Sequence, residues 1–118
     1  MPRLCSRAAC ERAARSDNDD EVAAACARAL FEYAAQIEAH FEREEQNLLP
    51  LLQGDAVQAL VQRTLADHRA LRGLLDGLQQ NDAAALAHFG ETLAAHVRFE
   101  ERERSPAIER AMQRANCN

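Results

Sequence analysis

Aromatic residues are scarce in this chain: Trp is absent, Tyr occurs once, and the aromatic share of its 118 residues is 4%. Ala, Leu, Glu and Arg dominate in place of the β-branched and aromatic residues that build sheets, so the composition argues against a β fold and for helices. No run of 18 apolar residues exists, which excludes a transmembrane helix, and the opening Met1-Pro2-Arg3-Leu4-Cys5-Ser6 lacks the apolar stretch of a signal peptide. The cytoplasm is therefore the expected location. Basic residues are in deficit, with a net charge of −5, so there is no general electrostatic footprint for nucleic acid or an anionic membrane, and neither is expected as a partner. The four cysteines, Cys5, Cys10, Cys26 and Cys117, show no C-x2-C spacing, which leaves a zinc ribbon without support.

What the chain does have is helical periodicity. Residues 1–118 have the length of a single domain that can bury one core. An Ala- and Arg-rich segment over about residues 3–16 reads as a first, thin helix, with an apolar stripe of Leu4, Ala8 and Ala9. Turn and N-cap formers at Ser16-Asp17-Asn18-Asp19-Asp20 open a long second helix that runs to about Leu48 or Leu49, where Pro50 stops it. Its stripe is Leu30, Tyr33, Ile37, His40, Glu44 and Leu48, at spacings of three and four. After Gly54-Asp55 a third helix is expected over about 56–78, with Val57, Leu60, Val61, Thr64, His68, Leu71, Leu75 and Leu78 on its inner face. A fourth follows the Asn81-Asp82 turn and carries Leu86, Phe89, Leu93, His96 and Glu100 on one stripe until Ser105-Pro106. Four helices joined by short connections imply an all-α, up-down-up-down four-helix bundle.

Polar residues sit on these core stripes in a repeat. His40-x3-Glu44-Glu45-x4-Pro50 reappears 56 residues later as His96-x3-Glu100-Glu101-x4-Pro106. A His and a Glu four apart share a helix face. Burying such groups costs several kcal/mol per charge unless each is paired or binds a cation. His40, Glu44, His68, His96 and Glu100 are thus candidate ligands, and their mixed nitrogen and oxygen donors suit iron, with manganese or zinc as alternatives. The order is His-x3-Glu, not the Glu-x2-His of oxygen-rich carboxylate bundles, and the HExxH of zinc peptidases is absent. Glu45 and Glu101, about 100° around the helix from the stripe, read as solvated surface acids, and His88 as exposed. Tyr33 reads as a core residue whose hydroxyl finds a partner.

The stretches His40-Phe41-Glu42-Arg43-Glu44-Glu45, Asp67-His68-Arg69-Ala70-Leu71 and His96-Val97-Arg98-Phe99-Glu100-Glu101 resemble the later motifs of the hemerythrin-like, or HHE cation-binding, family. The resemblance covers about residues 20–110. It implies a carboxylate-bridged, non-haem di-iron centre in which His40 binds one iron, His68 and His96 the other, and Glu44 and Glu100 bridge. The family also places a His on helix one, and this chain has none among residues 1–39. Aligning Asp19 with Asp82 puts Cys5 at the position matching His68, which makes the thiol a sixth candidate ligand. The expectation is therefore an asymmetric centre, either lopsided di-iron or mononuclear. Some members carry a further His one turn beyond the helix-three ligand, where this chain has Arg72, so the fullest O2-carrier ligand set is not indicated.

Function follows as an expectation: an iron-binding protein for O2, NO or redox sensing, or for iron handling, with O2 or NO as the small ligand at the metal. Nothing in the sequence pairs a nucleophile with a base, so turnover chemistry is not the leading reading. Two others compete: a metal-free helical interaction module whose thin first helix leaves a groove for a partner or a second copy in a homodimer, and a weak di-iron oxidase.

Overall fold

A computed structural model of the chain describes residues 7–49, 54–104, 106, 107, 109 and 110, and helices account for nearly all of them. Helix α1 spans Arg7–Ala14. A continuous rod then comprises α2 (Asp19–Glu32), a π-helical stretch at Tyr33–Ile37, α3 (Glu38–Arg43) and a second π-helical stretch at Glu44–Leu48. The third arm is α4 (Asp55–Gly73) followed by α5 (Leu75–Gln79), and the fourth is α6 (Ala83–Phe99) continued by a π-helical stretch at Glu100–Arg104. The arms form the all-α four-helix bundle expected from the periodicity.

Local chemistry sets the starts. Asn18 and Asp82 are N-caps in extended backbone, and their side-chain oxygens accept from the backbone N–H groups of Asp20 and Ala84, each at 2.9 Å. Asp19, Asp20 and Glu21 lie in the first turn of α2, at the positive end of its dipole. Gly54 caps α4 at φ 107°, a backbone angle that side chains other than hydrogen rarely adopt. The stop expected at Pro50 lies outside the described residues.

The third arm departs from one unbroken helix over 56–78. Leu74 has φ −86° and ψ −12°, and its N–H turns to Leu71 in a tightened step. Gly73 immediately before it is a weak helix former, about 1 kcal/mol poorer than Ala, and lets the axis change there. The register survives, because Leu71 and Leu78 are both fully buried.

In the second arm the inward stripe is Val22, Cys26, Ala29, Tyr33, Ile37, Phe41, Glu44 and Leu49. This corrects the expected one: Leu30 is only partly buried and His40 lies off the stripe's centre, which belongs to Phe41. The cause is the backbone. Glu38 donates its N–H to the Tyr33 carbonyl and Leu49 to the Glu44 carbonyl, each five residues back, so the helix is locally underwound and the face shifts.

Helix α1 packs mainly on α6. A Cβ placed on Gly90 would stand 2.6 Å from the Cys10 Cβ and 3.5 Å from the Arg7 Cα, so the missing side chain at Gly90 is what permits the approach. Farther along, Glu11, Ala14 and Arg15 share a shallow groove with Ala83, Ala84 and Ala87, so α1 runs antiparallel to α6. Cys10 and Cys26 belong to the apolar core with Leu71, Leu78, Leu86, Phe89 and Leu93, each large side chain contributing about 1.5–3 kcal/mol by leaving water. A smaller cluster of Leu49, Val57 and Val61 occupies another part of the bundle. No helix among the described residues is long and apolar enough to cross a membrane.

Candidate metal centre

Alongside these apolar clusters the bundle interior turns polar. Glu44, Thr64, His68, His96 and Arg104 are all buried, His68 and His96 at 0% exposure. Thr64 is satisfied within its own helix, donating its hydroxyl to the Leu60 carbonyl at 2.9 Å. The others converge.

His40 and Glu44 come from the second arm, His68 from α4, His96 and Glu100 from the fourth arm. His96 Nε2 is 2.9 Å from Glu100 Oε1, His68 Nε2 is 3.6 Å from Glu44 Oε2, and His40 Nε2 lies against Glu44 Oε1 and 3.9 Å from Glu100 Oε1. Two compact donor sets result, Glu44 with His68 and His96, and His40 with Glu44 and Glu100, the donor atoms of each lying within 4.8 Å of one another. Glu44 belongs to both. The π-helical stretches begin at Glu44 and at Glu100, so the sequence repeat is also a repeat of backbone conformation. All five expected side chains thus meet, although the two sets differ in burial: the His40 side chain remains 38% exposed, at the rim.

Hydrogen-bond chemistry orients the imidazoles. His68 Nδ1 is 2.6 Å from Glu45 Oε2, and His96 Nδ1 is 2.9 Å from Asp67 Oδ2. A carboxylate can only accept, so each Nδ1 carries a proton and donates it, which turns Nε2 of each ring toward the cluster. Nε2 of His40, His68 and His96 is buried in each ring and makes no hydrogen bond, its neighbours being carboxylate oxygens of Glu44 and Glu100. Lone pairs facing carboxylate oxygens repel unless a proton or a cation lies between them. Bonds of about 2.1 Å to one ion place neighbouring donors about 3.0 Å apart and opposite donors about 4.2 Å apart, and the 3.6 Å between His68 Nε2 and Glu44 Oε2, two donors of one set, falls in this range. The residues present therefore fit a cation.

Glu45 is not the solvated acid the sequence suggests. It receives His68 on one side and Arg72 Nη1 on the other at 2.9 Å, while Arg72 also holds Glu38 at 2.9 Å through Nη2 and Glu38 accepts the Tyr33 hydroxyl. Phe41 stacks on the His68 ring at a centroid distance of 3.7 Å and meets His96 edge-on at 5.6 Å, so both rings are fixed by packing as well. Burial raises the Tyr33 hydroxyl's pKa above its usual value, and the neighbouring Glu38 adds to this, so the hydroxyl stays protonated. Glu101 and His88 are exposed, as their positions suggest.

Arg104 is the residue sequence reasoning misses. Its guanidinium, 5% exposed, contacts both Glu44 oxygens, with Nη2 at 3.1 Å from Oε1, and the same Nη2 is 2.7 Å from Glu100 Oε1. Burial pushes the Glu44 carboxyl upward, but His68 and Arg104 outweigh it and hold the group down to about 2. The signal is in the repeat: Arg104 continues the stripe from Glu100 by four residues and stands where the first copy has Leu48. Asp67 has no such signal, because its partner His96 lies on another helix. Cys5, the sixth candidate, lies outside the described residues. No described residue of α1 takes part in the two donor sets.

A family model described as the hemerythrin HHE cation binding domain matches residues 3–108 of the chain. No curated protein and no solved structure matches it.

Proposed function

The chain belongs to the hemerythrin HHE cation-binding domain family, and on that premise we propose that it binds non-haem iron through His40, Glu44, His68, His96 and Glu100 and uses the metal to sense O2, NO or redox state. The observation that carries the proposal is the convergence of three buried, unpartnered imidazole Nε2 atoms on two carboxylates. Mixed imidazole and carboxylate donors suit iron over the softer-ligand metals. When bound by these residues, iron would supply the centre at which O2 or NO binds.

The protein's own part is orientation and exclusion. Glu45 and Asp67 keep the proton on Nδ1 of His68 and His96, so Nε2 is the free donor. Phe41 and Phe99 wall the imidazoles with apolar rings, which limits water on the buried side. The His40 side chain is 38% exposed although its Nε2 is buried, so the rim is the thinner wall between the donors and solvent.

A metal-free interaction module is the competing reading, and the ion pairs of Arg104 with both glutamates favour it, since they neutralise much of the buried charge. Against it stand the imidazole nitrogens, which those pairs leave unpartnered. Anaerobic reconstitution with ferrous iron, desalting and metal analysis separates the two. Retained iron that is lost in His96→Ala supports the iron reading. A protein that retains no iron, and whose melting temperature ferrous iron does not raise, is the metal-free module.

A further inference from the structure

The two donor sets share Glu44 and look like places for two cations, yet a cation of the protein's own already lies between them. The Arg104 guanidinium takes both oxygens of Glu44 and reaches Oε1 of Glu100, the oxygen that also faces His96 at 2.9 Å and His40 at 3.9 Å. It is as buried as Glu44 itself. A positive charge placed there is held by two carboxylates with no competing water, and it is always charged.

Coulomb's law makes the consequence asymmetric. Glu44 and Glu100 together carry two negative charges, and Arg104 cancels one of them at short range inside a poorly screened interior. A dication beside His68 and His96 meets two imidazole donors whose Nδ1 protons are held by Glu45 and Asp67, which raises their donor strength. Arg104 engages Glu44, which both sets share, but also Glu100, so a second dication, beside His40, would meet one partly exposed imidazole and two engaged carboxylates where the inner set has one, and would have to displace or repel the guanidinium.

Resting on the cation-binding reading above, we infer that Arg104 takes the place of a second metal ion and restricts the centre to a single ion, ligated by His68, His96 and Glu44. In the first copy of the repeat the corresponding residue is Leu48, so Arg104→Leu restores the symmetry of the two halves. Removing the guanidinium frees Glu44 Oε1, which faces His40, and Oε1 of Glu100 for the His40 position.

The test is the stoichiometry of anaerobic ferrous titration of the full chain, read by metal analysis and by electron paramagnetic resonance after oxidation. The wild type is expected to hold about one iron per chain, with the spectrum of an isolated high-spin ferric ion, and Arg104→Leu about two, with the resonance lost to coupling between them. Arg104→Gln, which keeps a planar polar group without the charge, is measured in parallel so that a poorly folded leucine variant does not decide the matter; it too is expected to take a second ion. About two irons per wild-type chain overturns the inference while leaving the iron reading intact, and so does a folded neutral variant that holds about one or none. No iron in the wild type overturns both.

Discussion

The two sides of the His/Glu cluster are built from copies of one motif and end up unlike each other. On the inner side His68 and His96 are fully buried, each with its Nδ1 on a carboxylate and each against the Phe41 ring. On the rim His40 is half exposed, and the carboxylates it faces are held by Arg104. The difference teaches that a ligand motif specifies donors, whereas burial, second partners and the nearest competing charge specify which of them are placed to hold a cation. Glu45 and Glu101 make the same point: equivalent in the repeat, one is bound between His68 and Arg72 and the other is exposed.

The comparison breaks first if the inner histidines prove dispensable. His68→Ala or His96→Ala is expected to weaken ferrous affinity by more than about 100-fold, beyond what loss of an outer partner causes, with His40→Ala weakening it by less than about 10-fold. Isothermal titration under anaerobic conditions measures all three, and equal effects at His40 and His96 would remove the asymmetry.

Packing gives the next largest effect. Phe41 is fully buried and stacked on His68, so Phe41→Ala is expected to cost about 3–5 kcal/mol of stability in chemical denaturation of the metal-free protein, as large apolar deletions do. A loss under about 1 kcal/mol would mean that the ring does not hold the inner side together.

Outer partners come third. Asp67→Asn and Glu45→Gln each remove a carboxylate from an Nδ1 and are expected to lower metal affinity by about 10–100-fold. Glu101→Gln, at the matching place in the other copy, should change affinity by less than about 2-fold, within the small range of exposed substitutions. Similar losses in Glu45→Gln and Glu101→Gln would show that charge near the site matters and hydrogen bonding to His68 does not.

Much of this arrangement is legible in the order of residues alone, and what is not has definite physical causes. Stripe spacing places Leu71, Leu78, Leu86, Phe89, Leu93, His68 and His96 inside, because a regular helix fixes which residues share a face. It misjudges His40 against Phe41, because the π-helical stretch at Tyr33–Ile37 rotates the face ahead of them and period reasoning assumes uniform winding. The break at Leu74 leaves no trace in the stripe, since the apolar period continues across it. The roles of Asp67 and Glu45 depend on side chains of neighbouring helices, which spacing along one helix does not report. Arg104 does carry a signal: a charge on a core stripe, four residues after a candidate ligand, needs a partner there.

One metal ion on the inner donors, with Arg104 standing in for the other, is tested most directly by anomalous diffraction at the iron edge from crystals of the iron-reconstituted wild-type protein. A single peak in bonding range of His68 Nε2, His96 Nε2 and a Glu44 oxygen, with Arg104 still on Glu100, is the predicted result. Two peaks bridged by Glu44 and Glu100 with the Arg104 side chain displaced, or no peak among these residues, would contradict it.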